Sequence, residues 1–429
     1  MITICEPQMK GFSHEKINSG FILKLRLAFP DEKLVFYAHS SHILSIKEIF
    51  IHDKIDLKNV EYVPIKFVSS FSKKGMKVYS SLFMKIFSET IKHGSDKIFF
   101  LSFSSTILYV IKMLKKKSDF LDMKFTFVTH RDFENIIDNI DDDSIHPPPP
   151  PETKSLLNKV KHAKIRELPF KFFSYIKSYL DIKSLKRDID FGKKFPTKAM
   201  ILLENSADYR YIVVSPHILS NVEKYINLKE INIKMVLFPT VFFPVYPQPK
   251  NKFVKMAVFG YGNPGMLYKV LTRLSKEDVK KAYEIRIIGM DNRGTDGFKN
   301  ISFPSSGKSL TRSEMEKYAS DIDLFLILYD DKSYQVSCSG SIIESLSYMK
   351  PILHFRNDCI NSFNTPESPI GICADTIDEF SLTMKNIIEK YFTYTHKFSK
   401  FRSNILKLRR KFAIENSVAS LRESFTWEK

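Results

Sequence analysis

The chain has 429 residues and a formal net charge of +18, from 66 lysine and arginine against 48 aspartate and glutamate side chains. Its 43% hydrophobic and 27% charged residues exclude a globally disordered chain, and its length suffices for two or three domains. The four cysteines form no CxxC pair, which excludes a disulfide framework and favours a reducing compartment. No apolar run could span a membrane and no signal peptide is recognisable, so we expect a cytoplasmic protein.

The basic excess leaves three kinds of partner open: nucleic acid, an anionic membrane surface, and phosphorylated substrates. A compositional bias towards lysine also explains part of the charge. No nucleic-acid-binding motif is recognisable in the sequence, and the basic residues are spread over both halves. We therefore expect no nucleic-acid partner.

The first half of the chain alternates short apolar runs with segments of helical period. Because helices of ten or more residues separate the strands, the pattern predicts a parallel sheet covered by helices on both faces. The predicted strands are 1–5, 33–38, 60–65, 97–102, 125–129 and 211–214, and the predicted helices are 16–29, 43–50, 74–93 and 106–116.

The second half repeats the alternation after a proline-rich stretch at 238–250, which we interpret as an interdomain linker. The fold class expected is therefore α/β, with two α/β units of similar type. The predicted domains are 1–243, with a loop insertion at about 139–165, and 250–400, followed by a closing helix at 401–429. In the second unit, strands are predicted at 254–259, 285–288, 324–328 and 351–355, and helices at 266–274, 312–319, 341–349, 377–391 and 397–429.

Small polar residues precede the predicted helix at 341–349, in the stretch YQVSCSGSIIESLSYMKPILHF. The free backbone N–H groups and positive dipole end of such a helix start suit a phosphate. Ser339, Gly340 and Ser341 are therefore candidate diphosphate-binding residues, and Glu344 could accept hydrogen bonds from a ribose. The alternative is that Ser341 and Glu344 form a capping box, which serves the helix alone.

Residues 252–400 resemble the nucleotide-binding half of GT-B glycosyltransferases, in the segments AVFGYGNPG, DIDLFLILY and SGSIIESLSYMKPIL. The resemblance implies two Rossmann-like domains that face each other across a cleft, with the nucleotide on the C-terminal domain. It assigns Gly260 and Gly262 to a turn that approaches phosphate, and Glu344 to the ribose. Large retaining families have a second glutamate eight positions earlier, where this chain has Val336.

The segment EPQMKGFSH follows the first predicted strand and lies at the carboxyl edge of the sheet, where α/β folds bind ligands. In GT-B enzymes this loop touches sugar or phosphate. Lys10, Gly11 and His14 are therefore candidates for an acceptor or phosphate loop. The alternative is an ordinary solvated loop.

His130 directly follows the strand predicted at 125–129, and Asp132 lies two residues further on. An imidazole at this edge suits a general base or a hydrogen bond to a sugar hydroxyl, as the resemblance also implies. The alternative is that these residues cap the next helix. Arg293 and Lys308 follow strands of the C-terminal unit and are further candidates to pair with the diphosphate.

Three further features are weaker. His39 and His42 have no partners at metal-ligand spacing, so we interpret them as surface residues. The acidic run at 141–143 lies beside five prolines and is interpreted as solvated. No metal or other cofactor is expected, since GT-B enzymes typically need none. The aromatic and basic segment 168–186 is either a helix lying on an anionic membrane or a helix that buries its aromatic side.

The predicted function is that of a glycosyltransferase that moves a sugar from a nucleotide-diphosphate or -monophosphate donor to a glycan or lipid-linked acceptor. Such an enzyme would serve lipopolysaccharide or capsule synthesis, with peripheral binding to the inner face of the cytoplasmic membrane if 168–186 lies on the bilayer. Two alternatives stay open. One is a sugar-nucleotide 2-epimerase of the same fold, and the other is a non-catalytic nucleotide- or nucleic-acid-binding protein.

Overall fold

The structure is a computed structural model that describes residues 1–66, 73–129, 133, 197–202, 207–242, 245, 247–260, 262–289, 294–295, 297–304 and 310–427. Within these residues, thirteen strands form two parallel β-sheets with interleaved helices, so the predicted α/β class is confirmed.

The N-terminal sheet has the strand order β3-β2-β1-β4-β5-β6-β7 over the described residues, and every neighbouring pair is parallel. The first strand of the chain lies inside this sheet and is buried at every position, because helices cover both faces and the strand is apolar or β-branched at four of its five residues. The strands are β1 (Ile2–Glu6), β2 (Leu34–Ala38), β3 (Val60–Pro64), β4 (Lys97–Phe100), β5 (Lys124–Val128), β6 (Tyr209–Val213) and β7 (Ile233–Met235). The helices are α1 (Glu15–Ala28), α2 (Ser40–His52), α3 (Lys73–Lys92), α4 (Ser105–Lys115), α5 (Thr197–Leu202) and α6 (Pro216–Val222).

The C-terminal sheet has the order β10-β9-β8-β11-β12-β13 within the described part of the chain, again with parallel pairs throughout. Its strands are β8 (Val254–Phe259), β9 (Tyr283–Ile288), β10 (Ile301–Ser302), β11 (Leu324–Ile327), β12 (Ile352–Phe355) and β13 (Gly371–Ala374). Its helices are α7 (Pro264–Leu274), α8 (Arg312–Ala319), α9 (Gly340–Ser347), α10 (Asp358–Asn361) and α11 (Ile377–Glu389).

Two helices, α12 (Tyr391–Phe412) and α13 (Val418–Phe425), follow the C-terminal sheet. The sequence predicted one long helix over 397–429, but the helix ends at Phe412 and a 3-10 turn over Ile414–Ser417 precedes α13. The last helix contacts the N-terminal half: the Arg422 guanidinium donates to the Ala28 carbonyl at 2.8 and 3.0 Å.

The two sheets share buried apolar surface. In the N-terminal half this surface is rich in aromatic rings, such as Phe100 and Phe127, whose centroids are 5.3 Å apart. The same cluster of buried side chains continues to Phe259, Phe325 and Tyr348 in the C-terminal half. The halves are therefore joined by a common core as well as by the chain.

The strands β7, β10 and β13 were not predicted from the sequence. None of the described helices has both the length and the apolar character that a membrane-spanning segment requires.

Candidate functional site

The strand order of each sheet reverses at one point, and ligands of open α/β sheets bind beyond the carboxyl ends of the strands at such points. In the N-terminal sheet the reversal lies between β1 and β4, and in the C-terminal sheet between β8 and β11. We call residues 7–14, which follow β1, the N-terminal wall. Residues 260, 262–263 and 339–344, which follow β8 and β11, are the C-terminal wall.

The C-terminal wall depends on a close approach of two backbone segments. Gly260 directly follows β8 and has a φ of +76°, a conformation that favours glycine. A Cβ atom at this position would overlap the side chain of Ser341 at the start of α9. The turn and the helix start that the sequence proposed as a phosphate site therefore lie against each other.

Ser339 caps α9: its Oγ accepts the amide N–H of Ile342 at 3.4 Å and is hydrogen-bonded to Tyr329 Oη at 2.8 Å. The capping-box interpretation of Ser341 and Glu344 is therefore wrong, because the cap lies two residues earlier. The first N–H groups of α9 have no carbonyl partners within the helix. Such groups can hold an anion.

Glu344 lies one turn into α9, and its side chain is 14% exposed. Its Oε1 atom forms an ion pair with Nζ of Lys16, the second residue of α1, and lies 3.5 Å from the hydroxyl of Tyr348. Lys16 belongs to the N-terminal half, so this contact joins helices α1 and α9 across the two halves. The carboxylate is thus directed away from its own helix start.

The backbone of the N-terminal wall is held in an uncommon conformation. Gly11 has a φ of +49°, and His14, the residue before α1, has a φ of +56°. The Gly11 amide donates to the Ser41 hydroxyl at 3.0 Å. Lys10 is exposed on the same loop, and its carbonyl accepts the Ser13 amide at 3.1 Å.

Glu6, the last residue of β1, holds the first part of this wall although it is completely buried. Its Oε1 accepts the amides of Gln8 and Met9 at 2.9 and 3.2 Å, and also the hydroxyl of Ser102 after β4. Its Oε2 accepts Asn18 Nδ2 at 3.1 Å. Burial raises the pKa of the Glu6 carboxyl above its ordinary value, although these hydrogen bonds oppose the rise.

His42 holds the second part of the wall. Its Nδ1 lies 2.9 Å from the Gly11 carbonyl, and its Nε2 lies 2.9 Å from Asn18 Nδ2. With Nδ1–H donating and Nε2 accepting, both contacts fit a neutral ring. Burial lowers the pKa of His42, which keeps it neutral. The interpretation of His42 as a surface residue is wrong, while His39 caps α2 by accepting the Ser41 amide.

The two halves also meet at α6, close to the start of α9. His217 Nε2 lies 2.8 and 3.1 Å from the carbonyls of Ser337 and Tyr334, and its Nδ1 lies 2.8 Å from the Ser215 hydroxyl. Asn221 Nδ2 donates to the Gln335 carbonyl at 2.7 Å. These contacts tie the segment before α9 to the N-terminal sheet.

Cys359, in α10, lies beneath the cap of α9, where its Sγ accepts the Ser339 amide at 3.5 Å. Burial alone would raise the pKa of this thiol, but hydrogen bonds with Cys338 and His217 hold the pKa below its ordinary value. Over the described ranges, no group of three or more His, Cys, Asp or Glu side chains is arranged to hold a metal ion.

Several predicted residues lie outside the described residues: His130, Asp132, Arg293 and Lys308, the insertion at 139–165, and segment 168–186. The structure brings Gly260 and Ser341 together. It places Ser339 and Gly340 at the same helix start, with Gly262 in the turn that leads to α7. Lys10, Gly11 and His14 lie on the N-terminal wall.

Sequence reasoning missed Glu6, Lys16, Asn18 and His42. For Glu6 a sequence signal existed, namely a carboxylate at the end of an apolar strand. Glutamate is rarely buried unless it has hydrogen-bond or charge partners, so its position there indicated such partners. Lys16, Asn18 and His42 lie on helix surfaces in the predicted pattern, and their partners are distant in sequence. Periodicity gives no indication of such contacts.

No family model matches the chain, and no curated protein matches its sequence. Solved structures match it over almost its whole length, at low sequence identity. A glycosyltransferase from Rickettsia africae is 10% identical with a TM-score of 0.55, and the match covers 99% of this chain and 97% of that one.

The lipopolysaccharide outer core galactosyltransferase WaaB is 12% identical with a TM-score of 0.57, over 99% of this chain and 98% of that one. HepE of Anabaena, solved in complex with UDP-glucose, is 10% identical with a TM-score of 0.54, over 99% of both chains. At such identities the likeness concerns the fold. The chain has the GT-B fold of these glycosyltransferases, as the resemblance of residues 252–400 predicted.

Proposed function

We propose that the protein is a glycosyltransferase that transfers a sugar from a nucleotide donor to a glycan or lipid-linked acceptor. The observation that supports this most is the close contact between Gly260 and Ser341 at the strand-order reversal of the C-terminal sheet. It sets a glycine turn against the start of α9, which is an arrangement suited to a diphosphate. HepE, which has the same fold, was solved with UDP-glucose.

In the proposed reaction the C-terminal wall stabilises the leaving diphosphate. As the bond to the sugar breaks, negative charge grows on the phosphate oxygens, and the N–H groups at Gly340 and Ser341 offer fixed donors for that charge. Glu344 would accept the ribose hydroxyls. Arg293 and Lys308 are proposed as additional cations for the diphosphate.

The N-terminal wall is proposed to face the acceptor. Lys10, Gly11 and His14 present backbone and side-chain groups there, and the buried contacts of Glu6 and His42 fix the loop. We propose His130 as the group that orients or deprotonates the acceptor hydroxyl, with Asp132 as its partner. The likeness to WaaB supports an acceptor from surface polysaccharide synthesis, in which lipopolysaccharide is one such glycan.

Titration calorimetry with UDP, GDP, ADP and CDP tests the donor site. We expect one of them to bind at micromolar to millimolar concentration, and Glu344→Gln to weaken that binding about tenfold through loss of charged hydrogen bonds to the ribose. A 2′,3′-dideoxy analogue should bind the wild type more weakly than the parent nucleotide does. The Glu344→Gln variant should bind the analogue and the parent nucleotide with similar affinity. Glu367→Gln, an exposed glutamate of the same half, is the matched control.

The reaction is tested by following nucleotide release from sugar nucleotides in the presence of glycan acceptors, with EDTA added to test the expectation that no metal is needed. Formation of a C2 epimer without nucleotide release would identify the epimerase alternative. Binding without either reaction would favour a non-catalytic nucleotide-binding protein. If the folded wild type binds none of the four nucleotides at millimolar concentration, the proposed function is wrong.

A further inference from the structure

The ion pair between Lys16 and Glu344 occupies the proposed ribose position. The two residues are 328 positions apart in sequence and lie on α1 and α9, at the start of one helix and one turn into the other. Lys16 Nζ also lies 3.9 Å from Met315 Sδ in α8, and its side chain is 34% exposed. The lysine therefore spans from the N-terminal half to two helices of the C-terminal half.

A ribose at Glu344 and the Lys16 ammonium would compete for the same carboxylate. The contacts of Glu344 fall on Oε1, which both Lys16 and the Tyr348 hydroxyl approach. Because the Lys16 side chain is one-third exposed, solvent weakens its attraction to the carboxylate, and a ribose can displace it. The displaced ammonium then needs another anion nearby.

The start of α9 supplies a place for that anion. Gly340 precedes Glu344 by four residues, which corresponds to about 6 Å along the helix axis. A diphosphate at the helix start is thus within the range of the flexible four-carbon side chain of Lys16. The move would take the ammonium from one carboxylate to a group of higher negative charge.

We propose that Lys16 is a donor-binding residue contributed by the N-terminal half, which exchanges the Glu344 carboxylate for the donor diphosphate when the nucleotide enters. This inference rests on the proposed function. The exchange frees Glu344 for the ribose and adds a cation to the leaving group at the same time. It also makes the contact between the halves depend on the donor.

The test compares a nucleoside diphosphate with its nucleoside. The probe is whichever of UDP, GDP, ADP and CDP binds the wild type most tightly, together with the nucleoside of the same base. For Lys16→Met, we expect about tenfold weaker binding of the diphosphate, because a charge-assisted contact is lost. The nucleoside should bind about twofold more tightly, because nothing competes for Glu344. Lys16→Gln should behave in the same way.

Lys33→Met is the matched control, since Lys33 pairs with Glu61 on an exposed part of the same half. Equal weakening of diphosphate and nucleoside by Lys16→Met would indicate a structural role and overturn the inference. Unchanged or tighter binding of the diphosphate would also overturn it, because Lys16 would then be at most a competitor. Both results leave the proposed function standing, whereas a wild type that binds none of the probes overturns both.

Discussion

Buried polar side chains hold the N-terminal wall, whereas close packing of two backbone segments holds the C-terminal wall. In the first, Glu6 accepts two amides of the loop and His42 contacts the Gly11 carbonyl, while Asn18 links Glu6 to His42. In the second, Gly260 admits the side chain of Ser341 at the start of α9.

The difference has a physical consequence for each wall. A buried network is sensitive to the loss of any one partner, because the remaining donors and acceptors are left unsatisfied. A steric contact is sensitive to added volume and to backbone conformation instead. Removal of a polar group should therefore destabilise the N-terminal wall, and addition of a side chain should destabilise the C-terminal wall.

The largest effect is expected for Gly260→Ala in the C-terminal wall. The positive φ and the overlap with Ser341 should together destabilise the protein by about 3 kcal/mol, measured by urea unfolding. Gly340→Ala is the control, since a Cβ there meets no atom within 4 Å. Adding Ser341→Gly to Gly260→Ala should recover the steric part of the loss. No recovery would contradict a steric origin.

A smaller loss, about 2 kcal/mol, is expected for Glu6→Gln in the N-terminal wall. The new amide group brings an N–H where an oxygen accepted. Asn18 Oδ1 is buried and makes no hydrogen bond within the described residues. A rotation of the Asn18 side-chain amide would bring this oxygen into position to accept the new N–H of residue 6. The rotation would remove the contact between Asn18 and His42. One hydrogen bond is therefore lost whether or not the Asn18 amide rotates.

The effect is measured as the free energy of unfolding of Glu6→Gln, with Glu48→Gln as the control. Glu48 is an exposed residue of α2. A loss equal to that of Glu48→Gln would show that the network does not hold the wall. A double-mutant cycle with His42→Gln should give a coupling energy different from zero, since Asn18 links the two residues.

The smallest effect is a pH dependence of the N-terminal wall. Because burial lowers the pKa of His42, its neutral form stabilises the fold fully above the unfolded value of 6.5, and this stability is lost as the pH falls below 6.5. His42→Gln should therefore lose less stability than the wild type between pH 7 and pH 5. Burial also lowers the pKa of His354 to about 4, but His354 is present in both proteins and cancels in the difference. Parallel pH profiles would contradict the prediction.

Strong periodicity made most of the fold predictable. Strand β8 was predicted at its observed bounds, and α1 within one residue at each end, because both have clear apolar patterns and a turn or cap signal beside them. The turn at Gly260 and the helix start at Ser341 were both visible as local patterns. Their contact with each other was not, since eighty residues of chain separate them.

The sequence by itself determined two α/β units, most of their strands and helices in chain order, and the small-residue helix start that suits a phosphate. Tertiary structure decided that Glu344 faces Lys16 and that His42 is buried against the wall. The apolar period and the turn residues determine the conformation of neighbouring residues along the chain, so a short stretch of sequence is enough to predict the helices and strands. Contacts between polar groups depend on how finished sheets and helices pack, and no local pattern encodes which distant partner each side chain meets.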